Sequence, residues 1–243
     1  MIRPLVATDF EFRHRFWIIG AFFWIGFSLY RFDRLNIAEY AIDRTLGYDS
    51  PKGAIIMYAA FGVSALLVLC AAMVRTWAAA YLQSDVVHDL NLHSEAIVAD
   101  GPYRYLRNPL YLGGILIALG FGLLASRTGF IVIAGGLTIY FLLLIGLEEA
   151  NLQREQGESY REFCRSVPRL RPAFSPRVAA SGLKPRWGQA VRGEIFGWGF
   201  FVGVAAFAIT LKVVIMWVIM GFAVLTYVVR SLVTYTRRKR QLS

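Results

Sequence analysis

Long apolar runs alternate with shorter polar ones along this chain, and the alternation predicts its elements. Phe16 to Tyr30 is apolar and aromatic-rich, and the charge-balanced residues 31–52 follow it. Gly53 to Val74 is a second apolar run, residues 75–108 are mostly polar, and Pro109 to Ala125 is a third run. Ser126 to Gly129 reads as a tight turn before a fourth run, Phe130 to Leu147. Residues 148–194 form a long, basic loop. Ile195 to Val229 is too long for one ordinary span, and Lys212 near its middle predicts a hairpin of two short helices. A helix needs ~20 apolar residues to cross hydrocarbon, with a range of ~17–25. The pattern therefore predicts an all-α, polytopic integral membrane protein with about six membrane helices.

Composition strengthens this reading. The 243 residues are 57% hydrophobic and 17% charged, where a soluble domain is ~45–50% apolar and ~25% charged. The net charge of +10 invites a nucleic-acid reading. The basic residues lie between apolar runs, however, which membrane topology alone explains, so no nucleic-acid partner is expected. With six spans, one side holds Arg31, Arg34, Arg44, Lys52, Arg127 and Lys212, and the rest of the 26 basic residues fall on the other side with both termini. The positive-inside tendency makes that second side cytoplasmic. The expected location is the cytoplasmic (inner) membrane, with both termini and the polar motifs on the cytoplasmic face. No cleavable leader is read at the start, and Cys70 and Cys164 suggest neither a metal site nor a disulfide framework.

Two polar clusters interrupt the pattern. The first runs from Asp100 to Gly114. Pro102 sets an extended or turn entry. Pro109 suits the first position of a helix, and Asn108 before it suits the cap. Such a helix start, with Arg104 and Arg107 spaced to share a face, suits an anion. The arginines read equally as interfacial anchors for anionic headgroups. Tyr103, Tyr105 and Tyr111 form either a wall for a cationic ligand or part of an aromatic belt. The second cluster, Glu148-Glu149, closes the fourth run. Carboxylates there oppose the helix dipole and mark function near hydrocarbon. The alternative is a helix that continues to about Gly157 with both glutamates solvated. Adjacent helical residues point about 100° apart, so Glu149 is expected to face a ligand while Glu148 faces headgroups or solvent. His88 and His93 lack partners at ligand spacing, and no metal is expected.

Taken together, these elements resemble the isoprenylcysteine carboxyl methyltransferase and phospholipid methyltransferase superfamily. The resemblance runs from about His88 to Pro172. It rests on Ile97-Val98, Gly101-Pro102-Tyr103, Arg107-Asn108-Pro109-Leu110-Tyr111-Leu112-Gly113, Glu148-Glu149, Gly157, Tyr160 and Val167-Pro168-Arg169. It implies a membrane-embedded enzyme that moves a methyl group from S-adenosylmethionine to a lipophilic acceptor among membrane lipids, an isoprenylcysteine carboxylate or a phospholipid amine. It implies a cytoplasmic-face pocket in which His88, Ile97, Val98, Tyr103, Asn108, Pro109, Tyr111, Gly113, Glu148 and Glu149 contact the cofactor. Arg107, Asn108 and Glu149 take the catalytic positions. The chain then divides into N-terminal membrane helices and loops (1–87), a methyltransferase-like core (88–172) and a basic loop with the C-terminal hairpin and tail (173–243). Two positions depart from the family, which usually has histidine at Asn108 and at Glu95. Asparagine takes no proton at neutral pH. Two rival readings are an NADPH-dependent sterol-type reductase, which the short region before residue 100 does not favour, and a non-catalytic lipid-binding protein.

Overall fold

The computed structural model describes residues 6–46, 51–82 and 99–242, with side chains up to Arg230 except at Leu46, Pro51 and Ala54. Among the described residues the chain is helical and has no β-strand. In order come α1 (Asp9–Arg13), α2 (Arg15–Ser28), α3 (Ile37–Leu46), α4 (Pro51–Tyr81), a 3-10 turn (Gly101–Arg104), α5 (Pro109–Leu123), α6 (Arg127–Phe130), α7 (Leu137–Ser166), α8 (Trp187–Gly193), α9 (Ile195–Thr210) and α10 (Val213–Leu242). Each expected apolar run is helical. Three helices are long and apolar enough to cross a membrane: Ile55–Tyr81, Arg127–Ser166 and Val213–Arg230. A fourth arises if α8 and α9, bent by 59° at Glu194, are taken as one broken span. α2 and α5 have 14 and 15 residues, below the length that spans unaided.

Helix α5 is the centre of the bundle. It lies between α4 and α7, and α9 packs along α4 and against α10. Its contact faces are made of small residues. A Cβ at Gly120 would press on Val68, and one at Gly114 would press on the Phe141 ring. Ser64 Oγ also donates to the Gly120 carbonyl at 2.7 Å. In lipid, where expulsion of water cannot drive helix association, such close approach and interhelical hydrogen bonds hold helices together. Phe121, Ile133, Leu137 and Leu144 are buried between these helices. Trp24, Ile131, Ile139 and Phe222 are exposed, as lipid-facing positions are.

The turn expected at Ser126–Gly129 is instead a helix start. Ser126 Oγ accepts from the Gly129 amide at 3.1 Å, and α6 runs through a π-helical segment, Ile131–Gly136, into α7. A side-chain cap therefore starts this helix earlier than hydropathy indicates. Nearby, Asn36 Nδ2 donates to the carbonyls of Leu123 and Ala125 at 3.1 and 3.0 Å, satisfying orphan groups at the end of α5. The turn at Leu211-Lys212, with Leu211 at φ +54°, makes the expected C-terminal hairpin.

Where α2 crosses α6, a Cβ at Gly129 would collide with the Gly26 carbonyl, whereas Gly62 on α4 has open space. Gly129→Ala should destabilise the protein by about 1–3 kcal/mol through overpacking against backbone. Gly62→Ala should be neutral or stabilise by about 0.5–1 kcal/mol. Thermal melting of the two variants in detergent checks both signs.

Candidate functional site

The site grows from a return of the chain. After α7 breaks its helical geometry at Gly157 (φ +56°, ψ −126°), it ends at Ser166, and Val167-Pro168-Arg169 comes back beside Arg107-Asn108. The Arg107 amide donates to the Pro168 carbonyl at 2.9 Å, and Arg107 Nη1 donates to the Cys164 carbonyl at 2.8 Å. Two segments sixty residues apart are thus paired through backbone groups.

Glu149 is the hub of this junction. Its Oε1 lies 3.0 Å from Arg107 Nε and accepts from Asn108 Nδ2 at 3.0 Å, and its Oε2 lies 2.9 Å from Arg169 Nε. Only 16% of the Glu149 side chain is exposed, so one hydrogen bond and two ion pairs stand in for lost hydration. Glu148, one residue earlier, accepts from the Tyr111 hydroxyl at 2.7 Å. The helix does continue past both glutamates, as one alternative required, yet neither is a free solvated side chain. Glu148 does not simply face headgroups or solvent.

Asn108 does not cap α5. Pro109 is the first helical residue, as expected, but the Asn108 side chain makes no cap hydrogen bond. Instead Nδ2 bridges Glu149 to the Arg169 carbonyl at 3.2 Å. Donation to a carboxylate orients the amide through Nδ2, so its oxygen does not accept from the helix N–H groups. The two arginines likewise do not share an anion. Arg104 Nε donates to the Val178 carbonyl at 2.9 Å, while Arg107 is bound to Glu149 and Cys164. Arg169, 42% exposed, is the more accessible cation beside Glu149.

Tyr103 joins Arg107 Nε, which lies in an ion pair with Glu149, among the buried polar groups without a hydrogen-bond partner in the described residues. Its hydroxyl is buried and has no hydrogen-bond partner among the described residues. Burial, with Glu148 nearby, pushes it well above the ordinary tyrosine range. Natural structures leave few such groups unpaired, so this one suits a missing ligand. The turn carrying it is tightly built. Gly101 has φ +55°, and a Cβ there would strike the Tyr81 ring, so glycine is required on both counts. Asp100 accepts from the amides of Ser181 and Leu183, each at 3.1 Å, and from the Ser181 hydroxyl. These bonds hold Asp100 below the usual carboxylate range, the Ser181 hydroxyl foremost. With Ala173 and Arg177 donating to the carbonyls of Tyr105 and Arg104, the basic loop becomes a strap laid over this turn.

Gly113, assigned to the cofactor, meets a side chain instead: a Cβ there would collide with the stem of Arg75. Arg75 reaches past it to Glu194, with Nε–Oε2 at 2.8 Å and Nη2–Oε1 at 2.9 Å. The motif reading missed both residues. Their signal was position, since each ionisable side chain abuts the end of an apolar run. His88, Ile97 and Val98 lie outside the described residues. An apolar hollow of about 430 Å³ lies among Met73, Trp77, Trp187, Val191 and Trp198. None of the described residues assigned to the cofactor lines it.

Residues 59–159 match the family described as phospholipid methyltransferase. A 71-residue stretch is 41% identical to the methanethiol S-methyltransferase of Crocosphaera subtropica, covering 29% of this chain and 27% of that relative. The chain thus matches about a quarter of that relative's length. No solved structure matches significantly. Both similarities agree with the superfamily resemblance drawn from the motifs, and the matched segment contains α5, Glu148 and Glu149.

Two outcomes test this geometry. Asn108→Ala removes a hydrogen bond to a buried carboxylate, so it should cost about 1–3 kcal/mol of stability, more than a simple cap in a peptide helix; melting and denaturant titration measure it. For Asp100 the folded carboxyl lies below its unfolded value, so its contribution is present above about pH 4 and is lost as pH falls through the folded value. Wild-type and Asp100→Asn melting temperatures should differ at pH 7 and converge below about pH 4.

Proposed function

We propose that this chain, which carries the phospholipid methyltransferase pattern over residues 59–159, is an integral membrane methyltransferase. It would use S-adenosylmethionine and act on a lipophilic or membrane-delivered acceptor. The observation that carries the reading is the meeting of Asn108, Glu149 and Arg169 beside helix α5, with the Tyr103 hydroxyl buried and unpartnered among the described residues nearby.

The residues present fit the cofactor's chemistry. Bound there, S-adenosylmethionine would supply a methyl group on a cationic sulfonium, together with an ammonium and a carboxylate. Glu148 and Glu149 suit the cationic groups, and the faces of Tyr103 and Tyr111 suit a sulfonium. Arg104 and Arg107 are occupied by protein partners. The carboxylate is therefore left to the α5 helix start or to the exposed part of Arg169, whose Nε already faces Glu149. The chain's own work is to orient, to exclude water and to hold charge. Burial of Pro109, Tyr103 and Phe141 around the first turns of α5 keeps the region dry, which strengthens each electrostatic contact. Positioning of this kind contributes much of the acceleration when two reactants must line up.

The acceptor divides into two chemistries. A carboxylate needs no base. A phospholipid amine or a thiol must lose a proton, and Glu148, whose Oε1 is bonded to Tyr111, is the candidate to take it. The similarity to a methanethiol S-methyltransferase supports the thiol reading. Neither match names a reductase. Asparagine at position 108 is no obstacle in this scheme, because Asn108 holds Glu149 and moves no proton. The cytoplasmic membrane and face remain part of the proposal.

The experiment is calorimetry with S-adenosylhomocysteine, followed by labelled methyl transfer to a small thiol and, separately, to extracted membrane lipids. Binding with a labelled thiol or lipid supports the reading and identifies the acceptor class. Binding without transfer to either favours a non-catalytic protein, and no binding sinks the proposal. The two glutamates should then separate. Glu148→Gln can still accept from Tyr111 but loses its charge, so it should weaken S-adenosylhomocysteine roughly tenfold at nearly unchanged melting temperature. Glu149→Gln leaves Arg107 and Arg169 without a carboxylate, so it should lower both affinity and melting temperature. Equal, small losses in both would show that neither carboxylate holds the cofactor.

A further inference from the structure

Outside the motif set, the most deeply buried charge is Glu194, with 0% of its side chain exposed. It stands at the 59° elbow between α8 and α9, beyond the segment that matches the family. Arg75 on α4 meets it with two parallel hydrogen bonds of 2.8 and 2.9 Å. That fork is the arrangement a guanidinium is shaped to make and an ammonium is not. The third nitrogen, Nη1, reaches the Leu110 carbonyl in the first turn of α5 at 3.4 Å. The Arg75 stem passes through the space left by Gly113, and its Cζ lies 5.4 Å from the centre of the Phe196 ring on α9. One side chain therefore touches α4, the first turn of α5 and the C-terminal elbow at once. The Trp198 indole donates to Thr76 Oγ1 at 3.0 Å, and the Arg186 amide to the Ala80 carbonyl at 2.7 Å, so the same elbow is fastened along the last turns of α4. Those last turns in turn seat Gly101 against Tyr81 and Tyr105 against Trp77, whose ring centres are 5.9 Å apart.

A buried pair of this kind is weak evidence for stability, because desolvation offsets most of the attraction. Ionisable groups beside membrane spans are costly and mark function. We infer that Arg75–Glu194 is a positioning pair through which the C-terminal hairpin sets the first turn of α5 and the Tyr103 turn for the reaction. The hairpin is then a working part of the site. Arg75 and Glu194 touch neither reactant; they act through Leu110 and through the end of α4. This role rests on the methyltransferase reading above, and the test separates the two.

Affinity for S-adenosylhomocysteine and melting temperature are measured for wild type, Arg75→Lys and the double variant Arg75→Met/Glu194→Leu. The double variant leaves no unpaired charge, so a purely structural pair predicts that it recovers both properties. The positioning role predicts a melting temperature near wild type with affinity about tenfold weaker, within the range for residues coupled through one network. Arg75→Lys keeps the charge but loses the fork, and should also weaken affinity while the protein stays folded. It decides the matter if the double variant does not fold. Wild-type affinity in a folded double variant, or in Arg75→Lys, overturns the role and leaves the methyltransferase reading standing. Wild-type protein that binds no S-adenosylhomocysteine overturns both.

Discussion

The polar side of this protein depends on one constraint: a carboxylate withdrawn from water where an apolar run ends within a helix must be given polar partners. Glu149 is that carboxylate. Asn108 is its hydrogen-bond donor and Arg107 and Arg169 are its ion-pair partners, and they come from two segments on either side of α5 and α7. Satisfying Glu149 therefore draws the end of α7 back over the start of α5. The bonds from the Arg107 amide to the Pro168 carbonyl and from its side chain to the Cys164 carbonyl follow from the same approach. A chain segment that is merely a loop by hydropathy becomes an ordered wall because a buried charge holds it there.

The same rule acts twice more. Asp100 gathers three donors from Ser181 and Leu183 and lays the basic loop over the Tyr103 turn. Glu194 gathers the Arg75 fork and ties in the C-terminal hairpin. Each of these acids sits at the edge of a helix or turn, each is largely shielded, and each is matched by donors distant in sequence. Tyr103 is the exception, a buried hydroxyl without a partner among the described residues. Where every acid is satisfied, an unsatisfied donor is the sign of a place for something else.

Under the methyltransferase reading proposed above, catalytic capacity would be a property of enclosure more than of any one reactive group. The glycines and Ser64 on the faces of α4 and α5 bring helices close, and that closeness keeps the first turns of α5 out of water. A dry, fixed arrangement of carboxylates and tyrosine faces suits a cationic methyl donor without a histidine at position 108. Substitution of asparagine there shifts that residue from proton chemistry to structure, and it leaves Glu148 as the titratable group nearest to the tyrosines.

Sequence alone determined that the chain is helical and apolar, that Lys212 marks a hairpin, and which short polar stretches interrupt the apolar pattern. These are properties of local pattern: a 20-residue apolar run, a proline at a helix start, two glutamates beside hydrocarbon. Partnerships were not legible. Asn108 before Pro109 has every local mark of a cap, yet its side chain goes to Glu149, because donation from Nδ2 to a buried carboxylate turns the amide away from the helix N–H groups its oxygen would accept from. Gly113 reads as room for a ligand and is room for Arg75. Arg104 and Arg107 share a face in sequence and part company in space, each claimed by acceptors over fifty residues away. Only tertiary structure decides such matters, since a charge removed from water takes whichever partner the packing of distant helices brings within 3 Å.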